Sequence, residues 1–459
     1  MLSVRDPGFS RREFLSIGSL ALGGFSLANL ARVRAAEDEA LTTGKSVVFL
    51  FMQGGPPQTE TFDPKMGAPS EIRSVTGEIR TSLPGVTFGA TFPKLARLAH
   101  KIAVVRSFVA GDGNHDLKPL VGKDTYGANP GAILARVAGP NHPSTGLPTN
   151  VALFPRSVNP EAQAGNLNFG NFLSAGPFGP AFSGFEPGGG GQLQKDMTLS
   201  IPKGRLDDRR ELLGRLSDLQ RSFDSVEARD GMEHFREQAF SVILNGVSRA
   251  FDLSAEDPRV VERYDTAGLL SADRVSAKWN NKKNYVDHIR SLGKQLLLAR
   301  RLVEAGCGFV TVTTNFVWDF HADQNNAHVE EGLRYVGAPF DHAVSAFIED
   351  LESRGLREKV LLVACGEMGR TPRINKGGGR DHWGGLAPLL LYGGGLRMGQ
   401  VVGDSTKDAG GPNSSPVTGQ NLIGTIAHVL FDLGRLRIAR GLPDEITRLA
   451  GYEPIRELI

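Results

Sequence analysis

The sequence has almost no cysteine: Cys307 and Cys365 are the only two among 459 residues. Two cysteines cannot build a disulfide scaffold, and the sequence contains no cysteine cluster of the kind that binds iron–sulfur centres. Both adjoin apolar runs typical of buried strands, so we expect them to be small apolar core residues. The sequence also lacks a G-x-G-x-x-G turn after a strand, a G-x-S-x-G elbow and an H-E-x-x-H helix. These absences argue against a dinucleotide enzyme, a serine hydrolase and a zincin protease.

An excess of charge of either sign is missing as well. Lysine and arginine number 52 against 50 aspartates and glutamates, which leaves a net charge of +2. The two signs are scattered, and no basic stripe alternates with aromatic residues. We therefore expect no nucleic-acid partner. The one compositional excess is glycine, with 57 residues. Many of these glycines follow apolar runs, where they permit tight loops.

No long hydrophobic run anchors the beginning of the chain. Residues 10–15 read S-R-R-E-F-L and are followed by a short, glycine-containing apolar segment over residues 16–30. This pattern predicts a twin-arginine signal over residues 1–36, which would be read by the twin-arginine translocation machinery. The apolar segment is too short for a stable membrane anchor. We expect an exported protein, periplasmic or extracellular, that folds before export, which favours a metal taken up in the cytoplasm.

The rest of the chain, residues 45–459, alternates apolar strands with amphipathic helices. This order predicts a single α/β domain on a mostly parallel sheet. Residues 159–204 are rich in glycine, proline and phenylalanine, and they suggest either an ordered excursion over the sheet or a mobile surface loop. The predicted strands span residues 45–52, 102–108, 150–154, 308–314, 360–364 and 387–392, and the principal predicted helices span 130–138, 206–224, 232–245, 277–305, 326–354 and 421–433.

The densest group of reactive side chains follows the apolar strand at residues 360–364. Glu367 and Arg370 come directly after it, and Arg380, Asp381 and His382 follow a glycine run. In open α/β sheets, ligands bind beyond the carboxyl ends of the strands. This stretch is therefore interpreted as the floor of a site for an anion, a divalent metal, or both. The alternative is a polar loop closed by surface salt bridges.

Two further strand ends carry histidine. Asp319 and His321 alternate in an extended segment, so both can face one ion, although a structural histidine bonded to a neighbouring carboxylate is the alternative. His115 lies in a D-x-N-x-D segment that resembles the start of a calcium loop. Leu117 and Lys123 stand where an EF-hand needs glycine and glutamate, so that interpretation fails. His115 remains a site candidate.

Together these segments resemble a known family. They are the twin-arginine signal, GGPPQTETFDPK (54–65), GDGNHD (111–116), WDFH (318–321), GEMGRTP (366–372), GRDHWGG (379–385) and LLLYGGG (389–395). Over about residues 45–435 the chain resembles the secreted bacterial family called domain of unknown function 1501, which is similar to alkaline phosphatases and sulfatases. The resemblance implies an alkaline-phosphatase-like three-layer αβα sandwich with metal ligands at the strand ends.

The resemblance also implies a reduced metal site. Asp319 and His321 resemble an aspartate–histidine pair of that superfamily, and His382 resembles its last metal histidine. Glu367 stands where a later strand usually ends in Asp-His. We therefore expect one divalent ion, zinc, manganese, iron or calcium, held by Asp319, His321, Glu367 and His382.

The expected activity is hydrolysis of a phosphate or sulfate ester. Arg370 and Arg380 would hold the anion by bidentate hydrogen bonds, and His115 would act as general acid or base. No serine or threonine stands at an obvious nucleophile position, so water is the expected nucleophile. The alternative hypothesis is a non-catalytic envelope protein that binds sulfated or phosphorylated polysaccharide.

Overall fold

Seven strands form the central sheet in a computed structural model of the protein, which describes residues 41–188 and 247–459. Short paired strands lie beside this sheet. The strands are β1 (Ser46–Phe51), β2 (Glu78–Arg80), β3 (Thr87–Gly89), β4 (Ile102–Val105), β5 (Phe108–Val109), β6 (Asn150–Leu153), β7 (Phe309–Thr313), β8 (Val360–Cys365), β9 (Gly369–Arg370), β10 (His382–Trp383), β11 (Leu389–Gly393), β12 (Gln400–Val402) and β13 (Val417–Thr418).

The order of the large sheet is β12-β4-β11-β8-β1-β7-β6. All neighbours pair in parallel except β11, which is antiparallel to both β4 and β8. The prediction of a mostly parallel sheet is therefore confirmed. This topology brings the carboxyl ends of β1, β4, β7 and β8 to one edge, together with the beginning of β11. Polar loops from distant parts of the chain meet there.

Helices cover both faces of the sheet. They are α1 (Pro93–Arg97), α2 (Pro130–Ala138), α3 (Ser248–Phe251), α4 (Pro258–Tyr264), α5 (Lys282–Glu304), α6 (Val329–Ser353), α7 (Gly419–Leu430), α8 (Leu433–Ile438) and α9 (Asp444–Leu449). Alternate residues of β1 enter two separate cores, because successive side chains of a strand point to opposite faces. Val48 and Leu50 pack with α5 and α6, whereas Val47 and Phe49 pack with α2 and α7. The predicted three-layer αβα sandwich is confirmed.

Most predicted elements that fall on described residues are present with small shifts of their ends. The strand predicted at 102–108 is divided, because β4 ends at Val105 and Phe108–Val109 pair with β13 outside the large sheet. The helix predicted at residues 130–138 coincides with α2, and the helix predicted at 277–305 begins later, at Lys282. The predicted helices at 206–224 and 232–245 lie outside the described residues, as do the signal at 1–36 and residues 189–204 of the excursion. Within the described ranges, no helix combines the length and apolar character needed to cross a membrane. Cys307 and Cys365 are both buried and unpaired.

A buried ion network joins the helices of one layer. Arg300 on α5 is only 1% exposed and lies 2.9 Å from Asp350 on α6, and it also pairs with Glu256 and Glu304. Its guanidinium is therefore neutralised on several sides, as a buried charge requires. This network lies in the helical layer and takes no part in the strand-end site described below.

Gly293 sets the approach of α4 to α5. A Cβ at this position would overlap the carbonyl oxygen of Tyr264. We predict that Gly293→Ala lowers the free energy of unfolding by about 1–3 kcal/mol, because overpacking outweighs the better helix propensity of alanine. Chemical denaturation measures the change. Gly434→Ala, on the exposed helix α8, is the matched control and should be neutral or slightly stabilising; equal effects would contradict the packing argument.

Candidate metal centre

Four side chains from three loops converge at the carboxyl edge of the sheet. His115 follows β5, Asp319 and His321 follow β7, and His382 lies on β10. One ligand atom from each lies within 4.8 Å of every other, so this cluster could hold a metal ion. We call these four residues the histidine cluster. His115 lies more than 200 positions before the other three in the sequence, and the sheet topology brings all four together.

Tight backbone contacts position Asp319. Asn315 and Phe316 have positive φ angles of 53° and 65° in the turn that follows β7. Such a conformation costs free energy in residues other than glycine, and a hydrogen bond from the Asn166 N–H to Asn315 Oδ1 (2.7 Å) supports it. The backbone of Asp319 then passes so close to Gly54 that a Cβ there would lie 2.7 Å from the Asp319 nitrogen. Only glycine fits at this end of β1.

The carboxylate of Asp319 is the centre of the histidine cluster. Its Oδ1 lies 3.1 Å from Nε2 of His321, 3.6 Å from Nε2 of His115 and 3.7 Å from Nε2 of His382. Its Oδ2 accepts a hydrogen bond from Asn326 at 2.8 Å. All three imidazoles thus point the same ring nitrogen at one carboxylate.

Two more carboxylates lie behind the histidines. Glu367 is fully buried, lies 2.8 Å from Nδ1 of His115 and accepts a hydrogen bond from the Gly54 N–H at 2.9 Å. Asp381 lies 3.2 Å from Nδ1 of His321. A carboxylate on Nδ1 keeps the proton on that nitrogen and leaves the Nε2 lone pair for a metal. Both histidines are therefore held in the tautomer that metal binding needs.

The local charges shift the pKa values of the cluster. Burial alone would lower the pKa of His115, but its hydrogen bonds to Asp319 and Glu367 outweigh burial and raise it. The pKa of His321 is raised chiefly by its hydrogen bond to Asp319. Burial alone would raise the pKa of Asp319, yet the Arg370 charge and the three histidines hold it well below its usual range. Without a metal, His115 and His321 therefore bind protons more readily than free histidines do.

The donor set fits a transition metal. Nε2 of His382 is buried and has no hydrogen-bond partner within residues 41–188 and 247–459, although it points into the cluster. An unpartnered ring nitrogen among convergent imidazoles is accounted for by a bound cation. Three imidazoles and one carboxylate suit zinc, manganese or iron, whereas calcium prefers six to eight oxygens. The side chain of His382 is 33% exposed, so a ligand can approach from that side.

Aromatic rings cover the other side of the cluster. Phe169, from the glycine-rich excursion, stacks on Phe316 with ring centroids 4.9 Å apart, and both rings lie within 5.0 Å of the His115 ring. The described part of the excursion therefore borders the site. These rings limit the access of water to His115.

Arg370 lies beneath the cluster, and all of its donor groups are engaged. The guanidinium pairs with Asp319 and donates to the carbonyl oxygens of Gly54, Gly55 and Arg380. Its Nη1 also lies 3.2 Å from Nε2 of His321. No N–H remains for bidentate contact with a substrate anion, so the structure gives Arg370 other partners than the predicted ester.

Arg380 is placed away from the histidine cluster. It is fully buried and forms an ion pair with Glu60 at 2.8 Å. Its remaining donors meet backbone carbonyls at two loops, those of Ile72 and Arg73 and those of Thr371 and Pro372. Arg380 thus joins three loops and holds the segment that carries His382.

The structure brings together most of the residues predicted for the site, but several of them have contacts other than the predicted ones. Asp319, His321 and His382 share one cluster, and His115, predicted as an acid or base, joins them there. Glu367, predicted as a ligand, lies behind His115. Sequence reasoning missed two contributors, Glu60 and Asn326, and it placed Asp381 in the floor of the site without giving that residue a role. Asp381 had a usable signal, because it adjoins His382 in the polar segment after the glycine run.

The fold and the site define an αβα sandwich with a candidate metal centre at its strand ends. The chain belongs to the family described as "Protein of unknown function (DUF1501)", which matches residues 44–459. No curated protein matches it. Among solved structures, Ps i-CgsB in complex with k-i-k-neocarrahexaose aligns at 10% identity and a TM-score of 0.33, covering 84% of this chain and 71% of that chain. The PsFucS1 sulfatase from Pseudoalteromonas sp. aligns at 11% identity and a TM-score of 0.33, covering 88% and 70%. At these scores neither likeness carries an argument about this chain.

The raised pKa values of His115 and His321 predict how the effect of a metal depends on pH. Protons on these groups stabilise the metal-free fold fully below the unfolded histidine pKa of 6.5, and this contribution is lost as pH rises through the raised folded values. Metal binding needs both imidazoles neutral, so it strengthens over the same window. The rise in Tm on adding zinc should therefore be larger at about pH 8 than at about pH 6.

Thermal unfolding with zinc or with a chelator, repeated across this window, measures the effect. His288, whose pKa burial lowers to about 4, changes stability with pH equally with and without zinc, so it cancels in the zinc-induced rise in Tm. A zinc-induced rise in Tm that is the same at both ends of the window would contradict the prediction.

Glu367 should tune metal affinity through His115. In Glu367→Gln, the carboxylate that orients the His115 ring is lost, and we predict a zinc affinity lower by about 10–100-fold. Competition with a chromogenic chelator measures this change. Asp381→Asn makes the matching change on a carboxylate whose side chain is 57% exposed, so its effect should be smaller. An unchanged affinity in Glu367→Gln would show that this contact does not matter for binding.

Proposed function

We propose that this protein is a metal-dependent hydrolase of phosphate or sulfate esters with a single metal site. The observation that carries the proposal is the convergence of three imidazole Nε2 atoms on the Asp319 carboxylate, with the Nδ1 atoms of His115 and His321 fixed by carboxylates. A divalent ion held by His115, Asp319, His321 and His382 would supply a Lewis acid that polarises an ester oxygen and acidifies a water. The likeness of the sequence motifs to alkaline phosphatases and sulfatases agrees with this chemistry.

The side chains around the cluster would have distinct tasks. Glu367 and Asp381 keep Nδ1 of His115 and His321 protonated, which orients their rings. Phe169 and Phe316 exclude water from the His115 side, so the ester would enter beside the more exposed His382. Arg370 adds positive charge below the site without contacting the ester. The anion-binding and acid–base roles predicted for Arg370, Arg380 and His115 are therefore replaced in this proposal.

A second function remains open because of one specific observation. The Arg370–Asp319 ion pair neutralises the central carboxylate inside the protein. A site that keeps its charges balanced in this way can persist without catalysis, since a fold does not fix a function. The second candidate is a non-catalytic envelope protein that binds sulfated or phosphorylated polysaccharide.

The place of action is also part of the proposal. The S-R-R-E-F-L segment at residues 10–15 supports export through the twin-arginine pathway to the periplasm or beyond. That pathway accepts folded proteins, so the metal would be bound before export. Changing Arg11 and Arg12 to lysine and following the protein in cell fractions tests this step.

His382→Ala should abolish both metal retention and turnover, because it removes the most accessible ligand. Protein isolated without chelator would be analysed for metal per chain and assayed on aryl sulfates, phosphate monoesters and phosphate diesters. His142→Ala is the matched control, since His142 packs beside Gly306 at the opposite edge of the sheet. Turnover that survives loss of the metal would refute the proposed mechanism. A metal-bound protein inactive on all these esters but retained by sulfated polysaccharide would favour the second candidate.

A further inference from the structure

Arg370 touches the same atoms that a metal would use. Its Nη2 pairs with Oδ1 of Asp319, and its Nη1 lies 3.2 Å from Nε2 of His321. A guanidinium has only donors, so a contact with neutral His321 requires that the Nε2 lone pair accepts the hydrogen bond. The hydrogen bond from Nδ1 of His321 to Asp381 agrees with this tautomer. When Nε2 is protonated, it can instead donate to Asp319, 3.1 Å away.

The lone pair of His321 cannot serve two partners. An imidazole nitrogen has one lone pair, which either accepts the Arg370 N–H or binds a metal ion. A carboxylate oxygen is different, because its several acceptor positions allow Asp319 to keep Arg370 and also bind an ion. Metal uptake therefore costs Arg370 a single hydrogen bond, and Nη1 still holds the carbonyl oxygen of Arg380 at 3.2 Å.

We propose that Arg370 is a place-holder cation, which occupies the ligand atoms of Asp319 and His321 in the metal-free protein and yields the His321 lone pair when a metal binds. The inference rests on the metal site of the proposed function. In this inference Arg370 is a positioning residue and does not contact the substrate. The Arg370 guanidinium is held in position because it donates hydrogen bonds to the carbonyl oxygens of Gly54 and Gly55.

The place-holder explains how a buried carboxylate is tolerated before metal uptake. The Asp319 side chain is only 6% exposed, and an unpaired charge in such a position would be strongly destabilising. Arg370 supplies the missing positive charge. Without it, the metal-free fold would depend on protons or on an ion at the cluster, and stability would become conditional on metal.

Arg370→Met tests the inference through stability, independently of turnover. The metal-free variant should have a lower Tm than metal-free wild type, and zinc should restore most of the loss. The rise in Tm on adding zinc should therefore be at least about twofold larger in the variant than in wild type. Zinc affinity, from competition with a chromogenic chelator, should not fall, because the competitor for the His321 lone pair is gone.

Arg300→Met is the matched control, because Arg300 is an equally buried arginine that is paired with Asp350 outside the site. It should lose the same stability with and without zinc. An Arg370→Met protein that loses equal stability in both states, or that binds zinc more weakly than wild type, would overturn the inference. So would a failure of both wild type and variant to bind zinc.

If Arg370→Met folds only when zinc is present during expression, that result supports the inference, and Arg370→Lys extends the test. Lysine keeps the charge beside Asp319 but has no second arm for His321, so its zinc-induced rise in Tm should lie between those of wild type and Arg370→Met. A protein that binds zinc and follows this order but hydrolyses no ester refutes the proposed hydrolase and leaves the inference standing.

Discussion

The buried carboxylate of Asp319 is the charge around which the strand-end loops are arranged. Three imidazoles, one guanidinium and one amide surround its two oxygens. These groups belong to residues at different positions in the sequence. A buried anion is stable only when its surroundings compensate the lost hydration. The glycine at the end of β1, the strained turn after β7 and the β9–β10 ribbon all serve this requirement, because each brings a backbone or a partner close to Asp319.

The charged groups that surround the histidine cluster are also paired with groups of opposite charge. Glu367 and Asp381 compensate histidines, and Arg380 compensates Glu60. Glu367 also accepts a hydrogen bond from the Gly54 N–H, Arg380 donates to the Ile72 carbonyl oxygen, and the Asp381 carboxylate accepts from the Asn375 side chain. The loops therefore cannot move independently. A network in which every buried charge is paired is rigid. Removing one member leaves its partner as an unpaired buried charge. This explains why residues that do not contact a ligand can still control the geometry of the histidine cluster.

Sequence reasoning predicted the sheet because each strand is marked by a local run of apolar residues. Apolar runs such as residues 360–364 form strands wherever they lie in a sandwich, and polar residues after them mark the binding edge. The same reasoning found Asp319, His321 and His382, since each follows or precedes a strand. It assigned Glu367 as a metal ligand and Arg380 as an anion-binding group but did not find their contacts with His115 and Glu60, because spacing does not reveal which way a loop side chain points. The Glu60–Arg380 pair joins residues 320 positions apart, and nothing local connects them.

The complete engagement of the two arginines also determines how an anion could be bound. A guanidinium whose N–H groups all meet protein acceptors contributes charge but no directional contact, so it cannot distinguish one oxyanion from another. Metal uptake would free only the one Nη1 N–H of Arg370 that meets His321, too few for bidentate contact. Directional binding would then fall to an ion in the histidine cluster. Three neutral imidazoles and one carboxylate leave a divalent ion with a net charge of about +1, which attracts an anionic ester while leaving coordination positions open. Selectivity between esters would accordingly come from that ion and from the rim of the site, where Phe169 and His382 lie, more than from the arginines that dominate the sequence motif.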